Sequence, residues 1–143
     1  TLAPGSLELY SLLANSSYLL LHAKGEAEAE DILREALELG EMLQPDEWST
    51  FSTQAMLGTS LASQAPNVSL IDMPAGEKLF VEAEASLKSG LEGMLERLDQ
   101  IPAENRDRVT SAAEKIIELY SAWKKPAEAE KWKTKLAELQ ESK

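Results

Sequence analysis

At 143 residues, with 43% apolar and 27% charged side chains, the chain is long enough to bury one continuous core and too apolar to remain unfolded. Twenty-five acids against 14 Lys and Arg give a formal charge of −11, the wrong balance for binding nucleic acid or an anionic membrane. Cysteine is absent, which excludes disulfides, thiolate catalysis and cysteine-ligated zinc together.

No apolar run approaches the roughly 18 residues that a membrane helix needs, and the cluster from Tyr18 to Leu21 is broken by His22. No signal peptide is visible, so a cytoplasmic location is expected. The chain opens at Thr1 without an initiator Met, which points to an excised or processed fragment.

Taken in order, the segments between breaks carry helical spacing rather than strand alternation. A first pair of helices is expected over about 6–23 and 26–43, a second over 46–64 and 78–100, and a third over 103–124 and 126–141. Gln44-Pro45-Asp46 separates the first two pairs, with Asp46 as the expected cap. Ile101-Pro102 closes the second pair. Lys124-Lys125-Pro126 divides the third, where proline suits a first helical turn. Between 65 and 77, Pro66, Pro74 and Gly76 argue against continuous helix, so this stretch is read as an inserted loop. Val68, Leu70, Ile71 and Met73 give the loop an apolar character that calls for cover, either by its own repeats or by a partner.

An internal repeat ties the pairs together. Ala27-Glu28-Ala29-Glu30 returns as Val81-Glu82-Ala83-Glu84 and as Ala127-Glu128-Ala129-Glu130. Seven residues beyond the central alanines stand Ala36, Gly90 and Leu136. Two helices approach closely only where the contacting side chains are small, so Ala29, Ala83 and Ala129 mark the expected crossing within each pair. Ser17 and Gly58 would supply the facing small surface, with the bulkier Ile117 in that place in the last pair. Lys133 stands where the earlier copies have Leu33 and Leu87, as suits a terminal repeat that nothing covers. Charge divides along the chain as well: 17 acids to 5 bases over 1–102, then 8 to 9 over 103–143.

These residues resemble the tetratricopeptide superfamily, in its variety with helices longer than the usual unit of about 34 residues. The resemblance covers roughly Leu9 to Leu139 without the insertion. It implies an all-α fold of three antiparallel helix pairs, about 6–43, 46–100 and 103–141, stacked as a right-handed superhelical solenoid in a single domain over 1–143. More narrowly, Trp48 to Gln54 with Leu57-Gly58, Ala83-Glu84, Ile101-Pro102, Glu118-Leu119-Tyr120 and Ala129-Glu130-Lys131-Trp132 are similar to the repeat-bearing C-terminal region of bacterial serine/threonine protein kinases. In that setting a catalytic domain would lie upstream of Thr1, and the repeats would recruit substrates or regulators. None of a kinase's own motifs is present.

The resemblance also implies a function: a non-catalytic interaction module that holds a peptide or protein on the concave face formed by the first helix of each pair. That face would display Ser11, Ala14, Asn15, Tyr18, Leu21 and His22 from the first. Ser52, Ala55, Thr59, Ala62 and Ser63 would come from the second. The third would add Ser111, Glu114, Lys115, Glu118 and Ser121. The expected contacts are Asn15, Tyr18, His22, Thr59, Ser63, Lys115 and Glu118. With one lysine and no arginine in this set, a neutral or basic ligand is expected. The competing reading is a structural unit that assembles into a homodimer. His22 is the only histidine, which leaves a metal site without ligands, and no cofactor is expected. Glu26, Glu28, Glu30 and Glu35 read as a solvated helix face rather than a catalytic pair. Trp48, Trp123 and Trp132 fall on apolar stripes and are read as core. Asn15-Ser16-Ser17 and Asn67-Val68-Ser69 match the glycosylation acceptor pattern, a weak signal without a secretory leader.

Overall fold

The computed structural model describes residues 6–23 and 25–141, without the Glu26 side chain; Thr1 and the Glu26 carboxylate fall outside this set. Among the described residues the fold is all-α, with six α-helices and no strand. They are α1 (Leu7–His22), α2 (Glu26–Leu43), α3 (Trp48–Ile71), α4 (Met73–Glu96), α5 (Asp107–Ala122) and α6 (Pro126–Glu141). Two single 3-10 turns, Leu98–Gln100 and Ala103–Asn105, carry the chain from α4 to α5.

Local chemistry sets several of these ends. The Ser6 hydroxyl accepts from the Leu9 amide at 3.0 Å, satisfying one of the donors that a helix start leaves open. Asp72 does the same for α4 through the Ala75 amide at 3.2 Å, and Pro74 in that first turn has no amide to satisfy. Pro126 likewise opens α6. Asp46 is not a cap: α3 starts after Glu47 without a side-chain cap bond. The Asp46 carbonyl instead accepts from Arg97 Nε at 2.6 Å, which ties the start of α3 to the end of α4.

Each helix packs against the next in the chain, and α3 also touches α1 and α5, so α3 is the central element. Ala29 and Ala83 are fully buried and Ala129 is 3% exposed, placing the three repeated methyl groups in the core. Around them lie Leu33, Leu61, Leu87, Leu91, Ile116 and Tyr120, all inaccessible to solvent. Burying a leucine or isoleucine of this kind stabilises by about 1.5–3 kcal/mol, so this cluster supplies most of the drive to fold. Polar ties link the elements across it. Tyr10 and Thr53 hydroxyls meet at 3.0 Å; because Thr53 gives its own proton to the Ser49 carbonyl, Tyr10 is the donor. Tyr120 donates to Glu84 at 2.6 Å and Gln64 donates to Glu30 at 2.9 Å.

The stretch 65–77 is not a loop. It forms the last turns of α3 and the first turns of α4, joined only by Asp72, so the second pair is a long two-helix hairpin. Pro66 lies inside α3, where a proline removes one helical hydrogen bond at a cost of about 3 kcal/mol. Packing against α4 outweighs that penalty. The partner surface is a seven-residue ladder in which small Gly76, Ala83 and Gly90 alternate with Phe80, Leu87 and Met94, all buried. A β-carbon on Gly58 would stand 2.8 Å from the Leu87 amide nitrogen, and one on Gly90 would stand 2.6 Å from the Phe51 carbonyl oxygen. Gly76 is pressed equally close to Ser69, so the ladder continues into the extension. Only the tip is uncovered: Leu70, Ile71 and Met73 are 86%, 91% and 77% exposed.

Candidate functional site

Helices α1, α3 and α5 share one side of the molecule, and a furrow lies between them. Its residues recur at three- and four-residue spacing along each helix, the spacing that keeps side chains on one face. A cavity of about 320 Å³ is walled by Tyr18 and His22 of α1, Ser52 and Thr59 of α3, and Ser111 and Lys115 of α5, among others. A second cavity, of about 310 Å³, is walled by Tyr10, Asn15, Trp48, Thr53 and Asn105. Arg108 lines both and forms the wall they share.

Tyr18 is the hub of the first cavity. His22 lies on its ring with centroids 4.1 Å apart, and His22 Nδ1 sits 3.0 Å from the Tyr18 carbonyl oxygen. A carbonyl can only accept, so Nδ1 carries a proton. The Arg108 guanidinium stands 4.7 Å from the Tyr18 ring and 5.8 Å from that of Trp48, and Arg108 Nη1 donates to Ser52 Oγ at 3.3 Å. Cation–π attraction of this kind fixes where the guanidinium lies. Lys115 is paired with Glu118 at 3.0 Å. Thr59 gives its hydroxyl proton to the Ala55 carbonyl at 3.1 Å, leaving its methyl and lone pairs for the cavity.

Of the expected contacts, Tyr18, His22, Thr59 and Lys115 converge on the first cavity and Asn15 on the second. Ser63 and Glu118 line neither. Ser63 is exposed and bonds the Ser60 carbonyl at 2.7 Å, while Glu118 meets the furrow only through Lys115. The expectation that no arginine reaches this face is overturned by Arg108. It precedes Ser111 by three residues and Lys115 by seven, so it belongs to the same helical stripe, and that spacing was the signal available.

Among the described residues, Glu114 is the one acid lining the first cavity. No group of three or more His, Cys, Asp or Glu is placed to hold a metal ion among the described residues. Of the tryptophans, Trp132 is buried; Trp123 is half-buried, stacked on Phe80 at 5.2 Å and bonded through Nε1 to Glu77 at 2.8 Å. Trp48 packs against the core with one part and lines the second cavity with another. No helix among the described residues is long and apolar enough to cross a membrane. Set against known proteins, the chain matches no family model, no curated protein and no solved structure.

Proposed function

We propose that this chain is a non-catalytic interaction module of tetratricopeptide-like build, in which the furrow along α1, α3 and α5 holds an extended segment of another polypeptide. The furrow carries the reading. Two cavities of about 320 and 310 Å³ meet at Arg108, each roomy enough for one or two side chains and lined by small hydroxyl and amide groups. Tyr18 and Trp48 supply aromatic surface of the kind that anchors bound peptides. The kinase-tail resemblance would give such a module the task of recruiting substrates or regulators to a neighbouring catalytic domain.

A random peptide library displayed against the chain, followed by titration calorimetry of the selected peptides, tests this. Peptides that compete for the furrow should lose at least about fivefold in affinity on Tyr18→Ala, the loss expected of an interface anchor worth over ~1 kcal/mol. Selection of no furrow binder, or a Tyr18→Ala variant with a lower melting temperature and unchanged affinity, would refute the reading.

The exposed tip of the second pair favours one other role. Leu70, Ile71 and Met73 together form an apolar end of the kind that marks a contact surface, and its burial against a second copy would make the chain a homo-oligomerisation unit. Sedimentation at several concentrations separates the two: a strict monomer leaves peptide binding, and a tight dimer that Ile71→Glu dissolves favours self-assembly.

A further inference from the structure

We infer that the outward face of α1 pairs with α1 of a second copy, antiparallel and about a two-fold axis at Asn15. Glu8, Leu12, Asn15, Leu19 and His22 are all exposed and follow one another at intervals of four, three, four and three residues. That spacing lines side chains up along one side of a helix, and it is the spacing through which two helices interlock. Tyr10 and Ser17, the buried residues of α1, stand on the opposite side. Leu12 and Leu19 are 54% and 68% exposed. Two exposed leucines are ordinary by themselves; their order in the stripe is not.

Read from either end, the stripe runs ionisable group, leucine, asparagine, leucine, ionisable group. A second α1 laid antiparallel with Asn15 on Asn15 therefore sets each Leu12 against the other copy's Leu19, in register to within one residue, about 1.5 Å. The same overlay sets Glu8 against His22 at both ends. A parallel pair would instead put Glu8 against Glu8 and His22 against His22, so charge selects the antiparallel arrangement. Neither Glu8 nor His22 has an ion-pair partner among the described residues. His22 Nδ1 is turned to its own helix, on the Tyr18 carbonyl, which leaves Nε2 to give a proton to a carboxylate when the ring is charged. At the axis each Asn15 amide can donate to the other and accept from it, and a lone amide in an apolar seam fixes the register.

Charge also favours a second copy as the occupant of this face. Copies of a chain at −11 repel one another overall, yet Glu8 is the only Asp, Glu, Lys or Arg in α1. Glu8, Leu12 and Leu19 line neither furrow cavity, and Asn15 and His22 stand on the edge that borders the furrow, so the pairing does not rest on what the furrow holds. One pair of 16-residue helices makes a small interface, below the roughly 1,200 Å² at which stable complexes begin, so copies exchange and unpaired α1 faces persist in solution.

The chain has no cysteine, so single introduced thiols report the geometry. Under mild oxidation Asn15→Cys should form disulfide-linked dimers at least about tenfold faster than Ser89→Cys, an exposed site on α4, because pairing raises the local concentration of the second thiol. Glu8→Cys and His22→Cys chains mixed together should link to each other in preference to themselves, as antiparallel pairing requires. Sedimentation at several concentrations should show self-association weakened at least about tenfold by Leu19→Glu. His22→Glu should also weaken it, adding Glu8→Lys to His22→Glu should restore it, and Ile71→Glu should leave it unchanged. Linking of Asn15→Cys no faster than that of Ser89→Cys, or Glu8→Cys linking to itself as readily as to His22→Cys, would overturn the pairing. Self-association that Ile71→Glu dissolves and Leu19→Glu does not would overturn it too, by giving the second copy to the tip of α3 and α4. Peptide binding is read separately on Leu19→Glu, where the α1 face is blocked and the furrow lining is intact. Should circular dichroism show that Leu19→Glu does not fold, the cross-linking pattern decides.

Discussion

Gly90 lies where a β-carbon would stand 2.6 Å from the Phe51 carbonyl oxygen and 2.7 Å from the Ala55 amide nitrogen. Alanine is worth about 1 kcal/mol more than glycine in a helix, so propensity alone would make Gly90→Ala stabilising. The obstructing atoms are backbone, however, and cannot swing aside. Overpacking of this kind costs about 1–3 kcal/mol, so urea unfolding should show a net loss of up to about 2 kcal/mol rather than a gain. Glu30 offers a second prediction at this scale. The Gln64 amide that donates to it, and then the Arg34 guanidinium, hold its carboxyl below the ordinary value against the opposing effect of partial burial. A depressed folded value means stability that is present above the unfolded value of about 4.3 and lost as the pH falls through the folded one. Glu30→Gln should therefore melt lower than wild type at neutral pH, with the gap narrowing on acidification; a gap that widens in acid would contradict the assignment. The three core alanines were legible from their repeat alone, because small residues at crossings follow from helix geometry. Arg108 was not read onto the furrow, although its spacing placed it there. A linear register says which face a residue occupies; it does not show that a long side chain in the first turn will cross to rings on two other helices.

At the scale of elements, all six helices were legible from periodicity and from their breaks, with ends within a few residues of the observed ones apart from the inner ends of the second pair. That pair was misread because proline and glycine are local signals and the ladder that overrides them is tertiary. Gly76 stands seven residues before Ala83, and Phe80 seven before Leu87, so the ladder was written in the sequence beside the breakers. The two pictures differ in a measurable way. If 65–77 were a loop, Pro66→Ala would free the unfolded chain and destabilise slightly, by about 0.4–1 kcal/mol. Inside α3, the same change restores a missing amide and relieves the ring's clash with the preceding turn, so it should stabilise by about 1–3 kcal/mol. The midpoint of urea unfolding should rise, with an unchanged dependence on denaturant. A lower midpoint would return this stretch to the loop reading.

At the scale of the whole molecule, the first and last helices differ in chemistry. The α1 end shows Leu12 and Leu19 to solvent, whereas α6 presents Lys133, exposed and paired with Glu130 at 2.9 Å, where the earlier copies bury Leu33 and Leu87. Leu33 and Leu87 are buried in the core, Leu87 against Gly58 of α3, so a leucine at the exposed position 133 would present an apolar surface on which another copy could dock. The nearest apolar candidate in solution is the α1 end of another copy. Such a contact joins two different surfaces, and an interface of that kind propagates into open chains instead of closing as a dimer. Lys133→Leu should therefore sediment as a concentration-dependent series of species, and adding Leu19→Glu at the opposite end should suppress the series. Tip-mediated pairing through Ile71 would instead stop at two copies and be indifferent to Leu19, so the size distribution distinguishes the two surfaces. If Lys133→Leu sediments as wild type at all concentrations, the lysine is an ordinary solvated residue and the polar end is no barrier to stacking.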